Sequence, residues 1–305
     1  MTDETKAGCV LRLYGVSAAA VEAAVEAAVS GFSPQWNAKA QWKSRAAETL
    51  VALEAQSPSG LKKAEQALRE RFAADLYGEG ETTLAEAAVA ALEQHDRLLI
   101  CSDAAAGTRL EARLETVAGA EKVFDFGALS YAHPKTGAQI ERQARARLPK
   151  DCTDPVRRTL ARAQAARRLI GADLAAGCAE RENDCVLVLS CKKGCFLRTI
   201  PLEENPALWL LDMIRRAASS LPQAEGTGFL PARRAAKTAQ PESAPPPQKP
   251  HRFRRFLFGL LLLAVLLGLC TAGAWAYTGG NLYALPARLH SLWVENVPHS
   301  GAMLL

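Results

Sequence analysis

The residues most suited to chemistry lie in one segment, ICSDAAAGTRLEARL, at residues 100–114. An apolar strand end breaks there into a loop of small residues and continues as a helix pattern, and loops of this kind often carry function. Ser102 and Thr108 offer hydroxyl groups and Asp103 offers a carboxylate, which are groups that nucleophilic catalysis uses. Three alanines at 104–106 stand between them. The segment is therefore either an active site or a segment that keeps the backbone arrangement of an active site without its catalytic groups.

Cysteines raise a second kind of chemistry, metal binding. The chain has eight of them, and four lie close together at 178, 185, 191 and 195. No CxxC pair or neighbouring histidine accompanies them, as a zinc site would need. CVLVLSC and CFLRTI, joined by Lys-Lys-Gly, are instead typical of a β-hairpin whose cysteines act as small apolar residues. We therefore expect no metal and no cofactor. The first residues, MTDETKAG, lack the apolar run of a signal peptide, so we expect the main body to be cytoplasmic and its cysteines reduced.

Helix and strand patterns before residue 221 divide into two folded units. Residues 1–78 predict a small α/β domain: strand CVLRLYGV, an Ala-rich helix, strand ETLVALEAQ and an amphipathic helix. Residues 79–220 open with a capping box at Thr83 and Glu86, followed by strand RLLIC, the loop segment and a strand ending at Tyr131. A helix with Pro155 at its first position, the cysteine hairpin and helix NPALWLLDMIRRAASSL complete a three-layer α/β domain.

The second unit resembles a known enzyme family. DLYGEGETTLAEAAVAAL, then a strand, the small-residue loop and RLETVAGAEKVFDFGALSY, is similar to the CinA family, whose C-terminal domain is a nicotinamide-nucleotide amidase. The similarity covers residues 76–220, and residues 1–78 resemble the KH-like linker domain that precedes this unit in the family. The family's N-terminal molybdopterin-binding-like domain has no counterpart in this sequence. The resemblance implies a KH-like domain followed by an amidase-like α/β domain.

The resemblance also assigns positions within the loop. Family members have the sequence Ala-Glu-Ser-Cys-Thr-Gly-Gly in this loop. When the later tyrosine is aligned with Tyr131, Ser102 and Asp103 correspond to the Ala-Glu pair, and Ala104 corresponds to the nucleophilic serine. Gly107 and Thr108 then match the two glycines. Asp103 and Gly107 are the loop positions left for ligand binding. The nucleophile itself is absent, because alanine has no atom that can attack.

Other parts of the family's site are also changed. Tyr131 is retained, but the lysine that looks like the activating base is Thr136 here, and Lys135 lies one position short of it. The glycine-rich segment of the family corresponds to AAGCAEREND, and Glu204 stands where an arginine would face a phosphate. A negative charge at that position would repel an anionic mononucleotide. His133 and Asp103 are expected to be loop residues with local hydrogen bonds rather than an acid and base pair.

A membrane span is predicted near the C-terminus. Residues 256–277, which begin at Phe256 and end at Tyr277, carry no charge. As a helix they would be roughly 33 Å long at ~1.5 Å per residue, close to the ~30 Å of a bilayer core. A cluster of five basic residues precedes the span: Lys249, His251, Arg252, Arg254 and Arg255. The positive-inside rule then predicts a single-pass cell-membrane protein whose bulk is cytoplasmic.

The segments on either side of the span complete the predicted organisation. Residues 221–255 are rich in proline and predict an extended, disordered tether with a basic juxtamembrane end. Residues 278–305 would be an extracytoplasmic tail whose apolar and aromatic residues suit a short interfacial helix.

These patterns predict a membrane-tethered, degenerate relative of the amidase that serves as an inactive scaffold or a ligand- or partner-binding module. One alternative is an active amidohydrolase that deamidates nicotinamide mononucleotide, with Ser102 or Thr108 as displaced nucleophile and Lys135 and Tyr131 as activators. Another is a structural or assembly protein of the membrane. Expected partners are the membrane, a nucleotide-like ligand or another protein, and a second copy of the chain. A net charge of +5, with acidic residues interleaved, predicts no nucleic-acid partner.

Overall fold

The computed structural model describes residues 7–30 and 39–232, and these form nine strands and eight helices. The strands are β1 Ala7–Tyr14, β2 Lys39–Arg45, β3 Glu48–Ala55, β4 Leu76–Glu79, β5 Leu99–Cys101, β6 Leu174–Glu180, β7 Asp184–Cys191, β8 Gly194–Pro201 and β9 Thr227–Pro231. The helices are α1 Ala18–Ser30, α2 Pro58–Arg71, α3 Leu84–Gln94, α4 Ala104–Leu114, α5 Ala120–Val123, α6 Pro134–Arg145, α7 Pro155–Ile170 and α8 Pro206–Ala218. The mixed α/β class predicted from the sequence is confirmed.

The smaller sheet has four antiparallel strands in the order β2-β3-β1-β4, and helices α1 and α2 pack on it. Alternate residues of β1 and β3, such as Leu11, Leu13 and Val51, point into the core, as a half-buried sheet requires. Val21 and Val25, which lie one helical turn apart on α1, belong to the same apolar cluster as these strand residues.

The larger sheet has five strands in the order β5-β6-β7-β8-β9, of which only β5 and β6 run parallel. Helices α3, α4 and α8 cover one face, and α6 and α7 cover the other. Because both faces are covered, β6 and β7 are buried along almost their whole length and contain few polar residues.

The two sheets belong to one compact unit, Met1–Ala236. Tyr14 at the end of β1 packs edge-on against Trp209 of α8, with ring centroids 4.9 Å apart. Next to this contact, the buried side chain of Arg216 is held by Asp212 on its own helix. It joins α8 to the smaller sheet through hydrogen bonds to the carbonyl oxygen of Tyr14 in β1 and to Asp75, which precedes β4.

Several predicted elements are confirmed. The capping box that opens α3 has both of its hydrogen bonds, between Thr83 and Glu86. Helix α7 begins at Pro155 behind the N-cap Asp154. The cysteine hairpin is β7 and β8, with Cys185 and Cys195 buried as small core residues.

The prediction of a strand that ends at Tyr131 is wrong. That stretch contains the one-turn helix α5, a single bridge from Phe124 to Leu99, and turns from residue 126 onward. Positive φ angles at Phe126 and Gly127 end the extended conformation, and the carboxylate of Asp125 binds the turn that follows.

The loop expected at His133 is instead the start of α6. His133 is the N-cap and Pro134 occupies the first helical position, where its missing N–H costs nothing.

Three strands went unpredicted because tertiary pairing forms them. The residues of β2 are almost all exposed and show no apolar alternation. Strand β4 occupies part of DLYGEGE, a segment whose glycines and acidic residues are typical of a turn. Strand β9 pairs with β8 across residues 227–231. The chain from residue 221 to residue 231 is therefore part of the fold, and the extended tether expected from residue 221 does not begin there.

The predicted membrane span at 256–277, the basic cluster before it, the rest of the tether and the tail at 278–305 lie outside the described residues. Over residues 7–30 and 39–232, no helix has the length and apolar character that crossing a membrane requires.

Candidate functional site

A cavity of about 480 Å³ opens where β5 passes into α4, at the carboxyl end of the parallel pair β5 and β6. We call it the β5–α4 cavity. Its lining is Ser102, Asp103, Ala104, Ala105, Tyr131, Gly137, Ile140, Thr159, Arg162 and Cys178. Loops at the carboxyl ends of parallel strands commonly form ligand sites, and the cavity lies at the segment that the sequence singled out.

Asp103 organises the entrance to α4. It is the N-cap residue, and its Oδ1 accepts a hydrogen bond of 2.9 Å from the backbone N–H of Ala106. Its Oδ2 accepts from the hydroxyl of Ser102 at 2.9 Å and from the backbone N–H of Cys178 at 3.3 Å. Burial raises the pKa of Asp103, although these hydrogen bonds and the positive charge of Arg162 partly offset the shift. The carboxylate thus fixes the loop to β6.

The candidate hydroxyl groups all have local partners. Ser102 is only 4% exposed and donates its proton to Asp103. Thr108 donates to the carbonyl oxygen of Ala104 at 2.8 Å, one helical turn back, and does not line the cavity. The side chain of Ala104 faces the cavity from the first position of α4, where it offers only a methyl group. No hydroxyl lining the β5–α4 cavity is hydrogen-bonded to histidine or lysine, the bases that usually activate such a group.

Tyr131 is held against α4. Its hydroxyl donates to Glu111 at 2.6 Å, and burial together with this hydrogen bond raises the pKa of Tyr131 well above its usual range. The phenol therefore stays protonated and cannot serve as a general base near neutral pH.

Gly107 allows this packing. A Cβ atom at Gly107 would lie 2.3 Å from the ring of Tyr131, so the absence of a side chain lets the ring approach the helix. This close approach explains the glycine without a ligand.

Lys135 and Thr136 lie on the first turn of α6. Lys135 is exposed and does not line the β5–α4 cavity. The hydroxyl of Thr136 lies 3.0 Å from Nδ1 of His133, which is the N-cap of that helix. His133 and Asp103 thus both make local hydrogen bonds, each as the N-cap of a helix.

Glu204 is not at this cavity. Its carboxylate accepts a hydrogen bond from the indole N–H of Trp209, and it lines a separate cavity beside Tyr14. The guanidinium of Arg198 lies 3.4 Å above the centre of the Trp209 ring. The repulsion of an anion expected from Glu204 does not apply to the β5–α4 cavity.

Five lining residues were not foreseen as part of the site, namely Gly137, Ile140, Thr159, Arg162 and Cys178. Thr159 and Arg162 are three residues apart on α7, so they share a helical face that the buried alanines direct toward the sheet. The start of α7 at Pro155 could have suggested that face, but nothing in the sequence indicates that α7 lies opposite α4.

Gly177 on β6 is a further residue of the site that the sequence did not single out. A Cβ atom there would lie 2.6 Å from the Ser102 hydroxyl, 2.7 Å from Thr159 and 2.9 Å from Asp103. Only a glycine lets the strand, the loop and α7 approach one another so closely.

Cys178 and Cys185 form a close pair of buried thiols, with their sulfur atoms 2.9 Å apart. Their hydrogen bond and burial raise the pKa of Cys178, so this thiol is not a ready nucleophile. Among the described residues, no group of three or more His, Cys, Asp and Glu side chains is arranged to hold a metal ion.

Comparison with known proteins leaves the geometry of the site as the basis for its interpretation. A scan against protein-family models finds no match for the chain, and a search of curated proteins finds no match either.

Proposed function

We propose that the protein is a membrane-tethered, catalytically inactive scaffold that resembles the CinA amidases and binds a small nucleotide-like ligand in the β5–α4 cavity. The observation that carries the proposal is Ala104, which presents a methyl group to the cavity. The resemblance aligns this position with the nucleophilic serine of the amidases.

The argument against catalysis is chemical. Amide hydrolysis through a covalent intermediate needs a hydroxyl beside a base and a route to the carbonyl carbon. Ser102 is buried and bonded to Asp103, and Thr108 is bonded to its own helix outside the cavity. Moving a nucleophile by even ~1 Å can cost ~100-fold in rate, and these hydroxyls lie two and four residues from position 104.

The argument for ligand binding rests on the cavity. Its volume of about 480 Å³ lies within the ~300–1,000 Å³ typical of small-molecule sites. Asp103 supplies a polar group from the start of α4, Thr159 and Arg162 supply polar groups from α7, and Ile140 and the alanines supply an apolar wall. Arg162 adds a positive charge suited to an anionic ligand, since its side chain is 36% exposed.

The membrane part of the proposal rests on residues 256–277 and on the basic cluster before them. Together they predict one span with the N-terminal bulk in the cytoplasm. The folded unit would then hold its ligand beneath the membrane surface.

Thermal unfolding of the full-length chain in a neutral detergent tests the binding. Nicotinamide mononucleotide at ~1 mM is expected to raise the unfolding temperature by at least about 2 °C. Ala104→Phe fills the cavity and should abolish the rise, because the ring occupies the ligand's place. Ala23→Phe, at an exposed position of α1, is the matched control and should keep it. No rise in the unmodified chain, or an equal rise in Ala104→Phe, would contradict binding at this cavity.

A further inference from the structure

A second cavity, of about 410 Å³, lies between α6, α7 and the loop that joins them. We call it the α6–α7 cavity. It meets the β5–α4 cavity only at Arg162, which lines both. Four cationic side chains line it, and one carboxylate faces them: Arg145, Lys150, Arg158, Arg162 and Glu141. The lining therefore carries an excess of three positive charges.

Glu141 orients the arginines without using up their hydrogen-bonding capacity. It accepts from Nε of Arg145 at 2.9 Å and from Nε of Arg162 at 2.7 Å, and Nη2 of Arg158 lies 3.9 Å away. Within residues 7–30 and 39–232, the terminal Nη atoms of Arg145 and Arg162 have no protein acceptor. A guanidinium held by its Nε presents its outer fork in a fixed plane, which is the geometry that binds phosphate oxygens in pairs.

The surrounding sequence reinforces this charge. Residues 134–170 contain ten Lys and Arg against three Asp and Glu, a net charge of +7, whereas the whole chain carries only +5. The positive charge that looked dispersed along the sequence is thus concentrated on these two helices. A site for a monocarboxylate would need far less positive charge than these helices carry, because one exposed ion pair already balances a single negative charge.

The shape of the cavity favours a small molecule over a nucleic acid. Its volume suits a metabolite, and Leu148 and Pro149 give it an apolar wall beside the cationic one. A flat basic track with stacking aromatic residues, which single-stranded nucleic acids require, is not what lines this cavity.

We propose that the α6–α7 cavity is a second binding site, for a soluble small molecule that carries a phosphate ester or diphosphate group, with Arg145, Arg158 and Arg162 on the phosphate and Leu148 and Pro149 against the organic part. This inference goes beyond the ligand proposed for the β5–α4 cavity and does not depend on it.

Calorimetric titration of the full-length chain in neutral detergent, with inorganic diphosphate as probe at ~150 mM salt, tests this site. Saturable binding is expected. Arg145→Gln and Arg158→Gln should each weaken it at least about tenfold, since each removes charge-assisted hydrogen bonds. Arg157→Gln is the matched control: it removes the same charge from the neighbouring residue, which pairs with Asp154 and does not line the cavity. It should change the affinity less than about twofold.

The outcomes separate this site from its rivals. Absence of saturable binding, or an equal loss in Arg157→Gln, would overturn the proposal, the latter in favour of a diffuse basic surface. A second titration uses nanodiscs of phosphatidylcholine with and without phosphatidic acid. Loss of diphosphate binding only with phosphatidic acid would mean that a lipid head group occupies the cavity and would overturn the soluble ligand. Unchanged thermal unfolding of the variants is expected, because Arg145 and Arg158 are 75% and 46% exposed.

Discussion

Replacing Arg216 with alanine is expected to lower the free energy of unfolding by about 3–5 kcal/mol, because it takes one of two arginine partners from buried Asp212, which keeps only Arg215, and breaks the other buried hydrogen bonds of the guanidinium. Arg216 is 1% exposed and Asp212, which accepts from its Nε at 2.7 Å, is fully buried. The Nη2 atom of Arg216 donates to Asp75 and to the carbonyl oxygen of Tyr14, both at 2.9 Å. One side chain thus fastens α8 to two points of the smaller sheet.

Chemical denaturation of the full-length chain in detergent, followed by tryptophan fluorescence, measures this effect. Arg216→Lys should also destabilise, since one ammonium group cannot reproduce the fork that reaches four acceptors, the fourth being the carbonyl oxygen of Pro222. Arg97→Ala is the control: its pair with Asp173 is about half exposed and should contribute no more than about 1 kcal/mol. A loss below about 1 kcal/mol in Arg216→Ala would mean that the network does not hold the two sheets together.

Gly177→Ala is expected to cost about 3 kcal/mol and to disturb the β5–α4 cavity, as overpacking of a tight core does. The new Cβ would press on Ser102, Thr159 and Asp103 together, all closer than 3 Å. These are short side chains on a strand end and two helices, so none can swing aside easily. Displacing Asp103 would also loosen the N-cap of α4.

Equilibrium unfolding and the thermal response to nicotinamide mononucleotide report the two effects of this substitution separately. Ser102→Gly in the Gly177→Ala background removes the nearest obstacle and should recover part of the stability. Gly228→Ala, on the edge strand β9 of the same sheet, is the matched control, since its nearest neighbour would be 3.8 Å away. If Gly177→Ala and Gly228→Ala behave alike, the close approach at β6 is not what shapes the cavity.

Elements with strong local signals could be predicted from the sequence. The capping box of α3, Pro155 at the start of α7 and the Lys-Lys-Gly turn between β7 and β8 each specify their own structure through short-range chemistry. The missed strands depend on distant partners. Strand β9, for example, exists because β8 offers it an edge. The start of α6 is a different kind of miss, because His133 caps the helix and Pro134 opens it through short-range contacts.

The candidate site divides in the same way. Its loop is visible in the sequence because a buried strand ends in small residues before a helix. Its other wall is not, because Arg162 and Thr159 come from a helix that begins more than fifty residues later. The roles of Gly107 and Tyr131 could not be foreseen either, since only the packed structure shows the ring resting on the glycine.

The charge of α6 and α7 illustrates a different limit. Net charge summed over the whole chain conceals a local excess when acidic residues are numerous elsewhere. Counting over the predicted helix α7 alone would have revealed part of it, because residues 155–170 hold five arginines and no acidic residue. The central role of Glu141, in contrast, depends on side chains from two helices meeting.

Ammonia release from nicotinamide mononucleotide by the full-length chain tests the central claim, that the β5–α4 cavity has lost its reaction, most directly. We expect release no faster than in a sample without protein, and no difference between the unmodified chain, Ser102→Ala and Thr108→Ala. Release that either of these substitutions abolishes would contradict the account, because it would identify a displaced nucleophile and an active amidohydrolase.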